Sequence, residues 1–340
     1  MTEKISRRAL FAGVGGGAAF LALNSTTTAF GNDLRKVSIG LSSTSFISVP
    51  VRVTNDAGFF RKHGLSVDVQ VTPDASVGMA ALITGSLDFM VAGAVNALMS
   101  RLRNQEVIVV SSVYRGFAGS LVLSSDVVAK LGLSEGAPTS ERLKALDGLL
   151  LASPSASSNY TLTPLAAAKT VGANLRFTYM EQVAMPAALE VGAIQGYISG
   201  APFWVRNVAD GKGVLWLSGP KGDFADEAIP ASSSLLETMC GYADANPDVV
   251  RAIRASMSEF VNFAQQKPDE VISYVRNLYP SLNEETAKIL LGAESKAWAN
   301  SRYTIDDLQH DIKYVRAGGI TLDGIERIDL GSLILQDNQI

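Results

Sequence analysis

The sequence predicts an α/β protein of two similar lobes, each a mostly parallel sheet flanked by helices, with a cleft between them. Three observations predict it. The first is an internal repeat. Shifted by 107 positions, residues 72–98 lie over residues 179–205 without a gap. Ala80, Ala81, Leu82 and Gly85 then meet Ala187, Ala188, Leu189 and Gly192, and Gly93-Ala94 meets Gly200-Ala201. That period is far too long for a solenoid, so it points to two related halves. The second is the order of elements in the first half, strand-helix-strand-helix-strand, which favours a parallel sheet covered on both faces. The third is size and composition. With 340 residues, 47% hydrophobic and 18% charged, the chain can fill two modest cores.

The first thirty residues read as an export signal. Lys4, Arg7 and Arg8 form a positive start, and residues 9–23 an apolar stretch softened by Gly13, Gly15, Gly16 and Gly17. That stretch is too short and glycine-rich to span a bilayer stably. Residues 24–30 are mostly small and polar, which places cleavage near Ala29 and the mature protein in the periplasm. Ser6-Arg7-Arg8 followed by Leu10-Phe11 resembles a twin-arginine signal; an ordinary secretory signal with two arginines stays open. Net charge is −4; residues 1–30 carry +2, so the remainder stands at −6. A mildly acidic body with no basic cluster gives no reason to expect nucleic acid. A single cysteine, Cys240, excludes an internal disulfide and lies too far downstream to be a lipid anchor.

Along the chain, residues 37–41 read as a buried strand. A helix follows over about 49–63, ended by Gly64. Residues 65–71 alternate as a strand, and the repeat then supplies a helix and a strand at 87–92. Residues 106–113 are β-branched and extended, and 119–123 form a further strand. Residues 138–147 suggest a loop and short helix. The same grammar restarts with a strand at 149–152, a serine-rich loop at 153–160, a helix at 161–171, strands at 175–179 and 194–199, and a last strand at 213–217. Residues 232–236 suggest a returning strand. Helices follow, opened by Asn246-Pro247, Lys267-Pro268, Asn283 and Thr304-x-x-Asp307, the last closed by Gly318-Gly319. The chain crosses between halves near Gly119 and again at 219–226. Lobe 1 is therefore expected over 36–118 and 222–340, with the C-terminal helices on it, and lobe 2 over 119–221.

Several stretches resemble a known family, the solute-binding proteins of ABC importers that include receptors for sulfonates, nitrate, bicarbonate and thiamine-precursor pyrimidines. Gly58-Phe59-Phe60 with Gly64-Leu65-x-Val67 is similar to the family's first helix end. Ala80-Ala81-Leu82-x-x-Gly85-x-Leu87-Asp88-Phe89 is similar to its first repeat unit, and Ala188-Leu189-x-x-Gly192 with Pro202-Phe203 to its second-lobe counterpart. The likeness runs from about Val37 to Val275. Ala201 stands where an acid usually precedes Pro-Phe, and Gln195 where Asp is common, so no ligand carries over. The resemblance implies a type II periplasmic binding protein, a soluble monomer that closes on a small ligand and delivers it to a permease and an ATPase.

In open α/β sheets ligands sit beyond the carboxyl ends of strands, where loops meet helix N-termini, and such N-termini favour anions. Four loops qualify. From 42–45 the candidate ligand-binding residues are Ser43 and Thr44; from 93–96, Asn96. From 153–160 they are Ser155, Ser157, Ser158, Asn159 and Tyr160; from 200–204, Phe203 and Trp204. Tyr114 and Arg115 follow a strand directly, and Arg115, the only cation at these strand ends, is the candidate charge partner. Blander readings stand beside these: a solvated serine turn, a capping Asn96, core aromatics and a surface arginine. Aromatic walls with few charges suit a small organic solute, partly apolar and with an acidic group. His63 and His310 belong to no metal-spaced cluster, and no phosphate loop, dinucleotide fingerprint or nucleophile elbow occurs, so neither metal nor cofactor nor catalytic residue is expected. An enzyme of the same fold, a desulfinase or a pyrimidine synthase, would need a Cys or His in these loops, which hold none. A sensor that passes its ligand's signal to a receptor remains the other alternative.

Overall fold

The computed structural model describes residues 34–335; the export-signal reading concerns residues outside that range. Eleven strands are present among the described residues. β1 is Arg35–Leu41, β2 Leu65–Val71, β3 Phe89–Ala92, β4 Val107–Arg115, β5 Gly119–Ser124 and β6 Leu150–Ser153. β7 is Arg176–Tyr179, β8 Gly196–Gly200, β9 Gly213–Ser218, β10 Ser232–Met239 and β11 Trp298–Ser301. They form two sheets, in the orders β11-β4-β10-β3-β1-β2 and β7-β6-β8-β5-β9.

The repeat is visible in these orders. β3 and β8 begin 107 positions apart, as do the helical stretches Ala75–Ile83 and Gln182–Glu190, the latter built as Gln182–Ala184 and Met185–Glu190. One position within the repeat shows why it fixes a strand. The Asp88 carboxylate accepts from Ser38 N at 2.8 Å, midway along β1 and one residue before its pairing with β3 begins. Its counterpart Gln195 accepts from Leu150 N at 2.9 Å, at the start of β6. An acid in one half and an amide in the other thus pair the same otherwise open N–H, which accounts for the Asp-to-Gln departure noted above.

Neither sheet is parallel throughout. β3 and β4 are not neighbours, as the order of elements alone suggests; β10 enters between them, antiparallel to both. In the second sheet β5 does the same between β8 and β9. Each inserted strand is one end of a crossing between the halves, so each half carries one strand delivered by the other. Periodicity cannot reveal this, because it reports which face is apolar and not which edge is occupied.

Helices cover both faces of each sheet. The helix expected over 49–63 is two pieces, Val49–Asp56 and Phe59–Lys62, because Gly58 takes a left-handed φ of 78° between them. The long helix Pro247–Gln266 lays Val249, Val250, Ile253, Met257 and Phe260 against the first half. Asn246 does not cap it; its side chain instead accepts from Arg35 and donates to the Tyr242 carbonyl. Helix Ile305–Ala317 opens with the expected capping box of Thr304 and Asp307. It packs on the first half through Leu308, Ile312 and Val315, and Leu162 of the second half joins the same cluster.

Candidate functional site

The loops after β1, β3 and β6 converge on an inner cavity of about 50 Å³. The first half contributes Ser42, Ser43 and Ile47, then Asp74 and Ala75, then Gly93, Val95 and Asn96, and finally Ser233. The second contributes Pro154, Ser155, Ser157, Ser158, Asn159, Tyr160 and Gln182. These are the carboxyl ends of strands, where ligands collect in such sheets. A wider groove of about 420 Å³ adjoins it and shares Ser42, Ser43, Asp74, Pro154 and Gln182. Thr44, Val71, Tyr179, Glu181, Val183 and Phe203 also line that groove. Val71, Tyr179 and Val183 are 55%, 49% and 67% exposed, an apolar surface at the mouth.

The halves touch directly around the cavity. Gln182 Nε2 donates to Ser43 Oγ at 2.8 Å, and its Oε1 accepts from Gly200 N at 2.9 Å. Ser45 and Tyr160 share a hydrogen bond of 3.3 Å. Asn159 Nδ2 donates to the Ser233 carbonyl at 3.0 Å, and Phe46 N donates to the Ala201 carbonyl at 2.8 Å. The two repeat glycines each face the opposite half. A Cβ on Gly93 would sit 3.0 Å from Asn159 Nδ2, and one on Gly200 would sit 2.7 Å from Ser45 and from the Tyr160 hydroxyl. Glycine is what lets the two surfaces meet.

Local structure sets what each loop offers. Helix Asn159–Thr170 begins two residues earlier than the sequence suggests, because Ser158 accepts from Tyr160 N and acts as the cap. Asn159 and Tyr160 are therefore first-turn helical residues rather than loop. Tyr160 is buried, and burial raises its phenol pKa, against the pull of the Ser45 hydrogen bond. Helix Ala94–Leu102 starts at Gly93 with no side-chain cap. Its first-turn N–H groups, at the positive end of the helix, are left without a side-chain acceptor. Asn96 Nδ2 reaches only the Gly93 carbonyl, at 3.4 Å.

Of the twelve candidate residues, nine line these two spaces: Ser43, Thr44, Asn96, Ser155, Ser157, Ser158, Asn159, Tyr160 and Phe203. Three are placed elsewhere. The Tyr114 side chain is buried and donates to Glu294. Arg115 turns to the C-terminal helix, where its Nη2 meets Asp307 Oδ1 at 2.6 Å. That bond raises the arginine's pKa, while the carboxylate's falls because bonds from Arg115 and Thr304 outweigh its burial. Arg115 thus pins the start of that helix to the end of β4. Trp204 packs into the clusters behind the cleft, its indole N–H buried without a hydrogen-bond partner. Ser42, Asp74, Gln182 and Ser233 were not singled out from sequence. Asp74 and Glu181 had a signal, since they are 107 positions apart and each opens the helical stretch of its repeat.

Two α/β halves joined by two crossings, with loops converging on a cavity between them, define the periplasmic binding protein fold. A family model described as NMT1-like family matches residues 32–273, and the chain belongs to that family. Solved structures agree with the fold. A Bordetella bronchiseptica protein superposes with TM-score 0.73 at 17% identity, covering 89% of this chain and 95% of that one. The periplasmic aliphatic sulphonate binding protein of Escherichia coli gives 0.63 at 15%, covering 88% and 98%. The periplasmic nitrate-binding protein of Synechocystis PCC 6803 gives 0.64 at 13%, covering 89% and 86%. No curated protein matches the sequence. Among the described residues no helix is long and apolar enough to cross a membrane.

Proposed function

We propose that this chain is the periplasmic receptor of an ABC importer, exported by its N-terminal segment, which captures a small organic solute by closure of its two halves. A permease and its ATPase would receive the closed form. The observation that carries this reading is the inner cavity, whose walls come from both halves and are bridged by hydrogen bonds between them. A ligand that bridges the halves favours the closed form by its differential affinity for it.

The lining suggests how the solute divides. Hydroxyls, amides and the uncapped start of helix Ala94–Leu102 suit an acidic, acceptor-rich head. The mouth, with Val71, Tyr179, Val183 and Phe203, suits a partly apolar body. Magnitudes require both. Micromolar capture needs about −8 kcal/mol, and a few hydrogen bonds at roughly 1 kcal/mol net each fall short. Burial of apolar surface at about 25 cal/mol per Å² supplies the remainder. Among the described residues neither Cys nor His lines either space, so the thiol or imidazole that the enzyme alternatives need is not supplied there.

The test is a thermal-shift screen of the mature protein against small carboxylates, sulfonates, nitrate, amino acids and pyrimidines, confirmed by calorimetry. A ligand at about a hundred times its Kd is expected to add about 2.7 kcal/mol of apparent stability. A screen in which no class moves the melting temperature removes the receptor reading.

A further inference from the structure

The charges lining the cleft are one-sided. Among the described residues Asp74 is the only carboxylate on the inner cavity, and it also lines the mouth, where Glu181 joins it. Among the described residues no Lys, Arg or His lines either space. The two acids occupy equivalent positions of the repeat, one from each half; Glu181 is exposed and Asp74 half-buried.

Asp74 is also only half engaged. Its Oδ1 accepts from Val77 N at 2.9 Å and caps helix Ala75–Ile83. Oδ2 has no hydrogen bond and no ion pair among the described residues, although the side chain is partly buried against the cavity. A carboxylate held in place by its own helix, on a residue that lines both spaces and with one oxygen unbonded among the described residues, can accept from a donor on the ligand. The opposite character lies nearby, at the uncapped start of helix Ala94–Leu102, where the lining is N–H groups, Asn96 and serine hydroxyls. A lone oxyanion would meet that end well but would also be enclosed beside Asp74 with no cation to offset the repulsion.

We propose that the solute is a zwitterion, with its acidic group at the start of helix Ala94–Leu102 and a cationic nitrogen, ammonium or amidinium, against the free oxygen of Asp74. This rests on the receptor reading and narrows it. The short inner cavity requires the two groups to be a few bonds apart, and the apolar part of the molecule to trail into the mouth. Glu181, on the facing half, adds negative potential where the nitrogen enters.

The experiment is calorimetry on the mature protein and on Asp74→Asn with matched solutes: β-alanine, propionate and propylamine, then 2-aminoethanesulfonate and ethanesulfonate. Asparagine caps helices as well as aspartate, so the ligand-free variant should melt as the wild type does. In at least one set the zwitterion is expected to bind wild type about tenfold or more tighter than its singly charged partners. Asp74→Asn should erase that advantage, weakening the zwitterion and, with the repulsion removed, strengthening the anion. Two results overturn the proposal. One is a solute without a cationic nitrogen that binds wild type as tightly as its zwitterionic partner. The other is no binding by any of these zwitterions. In either case, a hit elsewhere in the broad screen leaves the receptor standing and removes only the zwitterion, whereas silence throughout removes both.

Discussion

Three buried carboxyls make single residues of this protein sensitive to pH. Burial pushes Glu294 up to about 7, against the pull of its bond from Tyr114, and Asp311 up to about 7, against bonds from Tyr303 and Ala231. Glu237, on β10, is raised well above its ordinary value by burial, and among the described residues neither of its oxygens has a partner. Each folded pKa lies above the unfolded one. Below about pH 4 both states keep the proton and these groups contribute nothing. As the pH rises toward about 7 the unfolded chain sheds protons that the folded chain still holds, so for Glu294 and Asp311 stability falls through that window and levels off above it. Replacing Glu294 by Gln keeps the shape and the acceptor for Tyr114 while removing the titration. Relative to wild type, Glu294→Gln should be more stable at about pH 8 than at about pH 5, by on the order of 2 kcal/mol. Urea unfolding at the two values measures this, and an identical pH slope in both proteins would refute it. The exposed pairs, such as Lys62–Glu259 and Lys288–Glu284, should matter far less.

At the scale of elements, helix Ile305–Ala317 ties the halves together. Asp307 holds Arg115 at the first crossing, and Asp311 and His310 hold Ala231 N and the Ile229 carbonyl at the second. Its far end reaches the second half. Tyr314 bonds Thr163 at 3.0 Å and lies 3.4 Å from the Asn159 carbonyl, and Lys169 caps the Ala317 carbonyl. Thr163 and Asn159 belong to the helix whose first turn lines the cavity, so this strap braces a wall of the site from behind. Tyr314→Phe removes the hydroxyl and leaves the ring. It should cost about 1 kcal/mol in chemical unfolding and loosen ligand binding severalfold, whereas a loss of stability with unchanged affinity would mean the strap does not reach the site. The helix itself was legible: Thr304-x-x-Asp307 marks its start and Gly318 its end. Its bridging role was not, because an apolar stripe says that a helix is covered and not by which half. Arg115 was misplaced for the same reason. Sequence showed a cation at a strand end, but its partner Asp307 lies 192 positions away.

For the whole molecule, the repeat carried most of what could be read in advance. It located β3 and β8, the loops after them and the glycines that meet the opposite half, because duplicated backbone needs the same residues at the same turns. Nine candidate residues reached the cleft because a loop beyond a strand's carboxyl end has few other places to go. Asp74, Gln182 and Ser233 escaped notice because each looked like a helix start or strand start, and only the docking of one half on the other gives them a shared cavity. That docking is also where the receptor reading is most exposed to test. Gly200 has no room for a Cβ beside Ser45 of the opposite half, whereas with the halves apart the one close neighbour left is the Tyr160 hydroxyl of its own half, the far end of a side chain that can shift. Gly200→Ala should therefore fold with near-normal stability but resist closing. Small-angle scattering on wild type is expected to show a smaller radius of gyration on adding ligand. In Gly200→Ala the contraction should be reduced and the affinity weakened about tenfold, the equivalent of about 1.4 kcal/mol taken from the closed form. Equal contraction and equal affinity in both proteins would mean that capture does not depend on these two surfaces meeting.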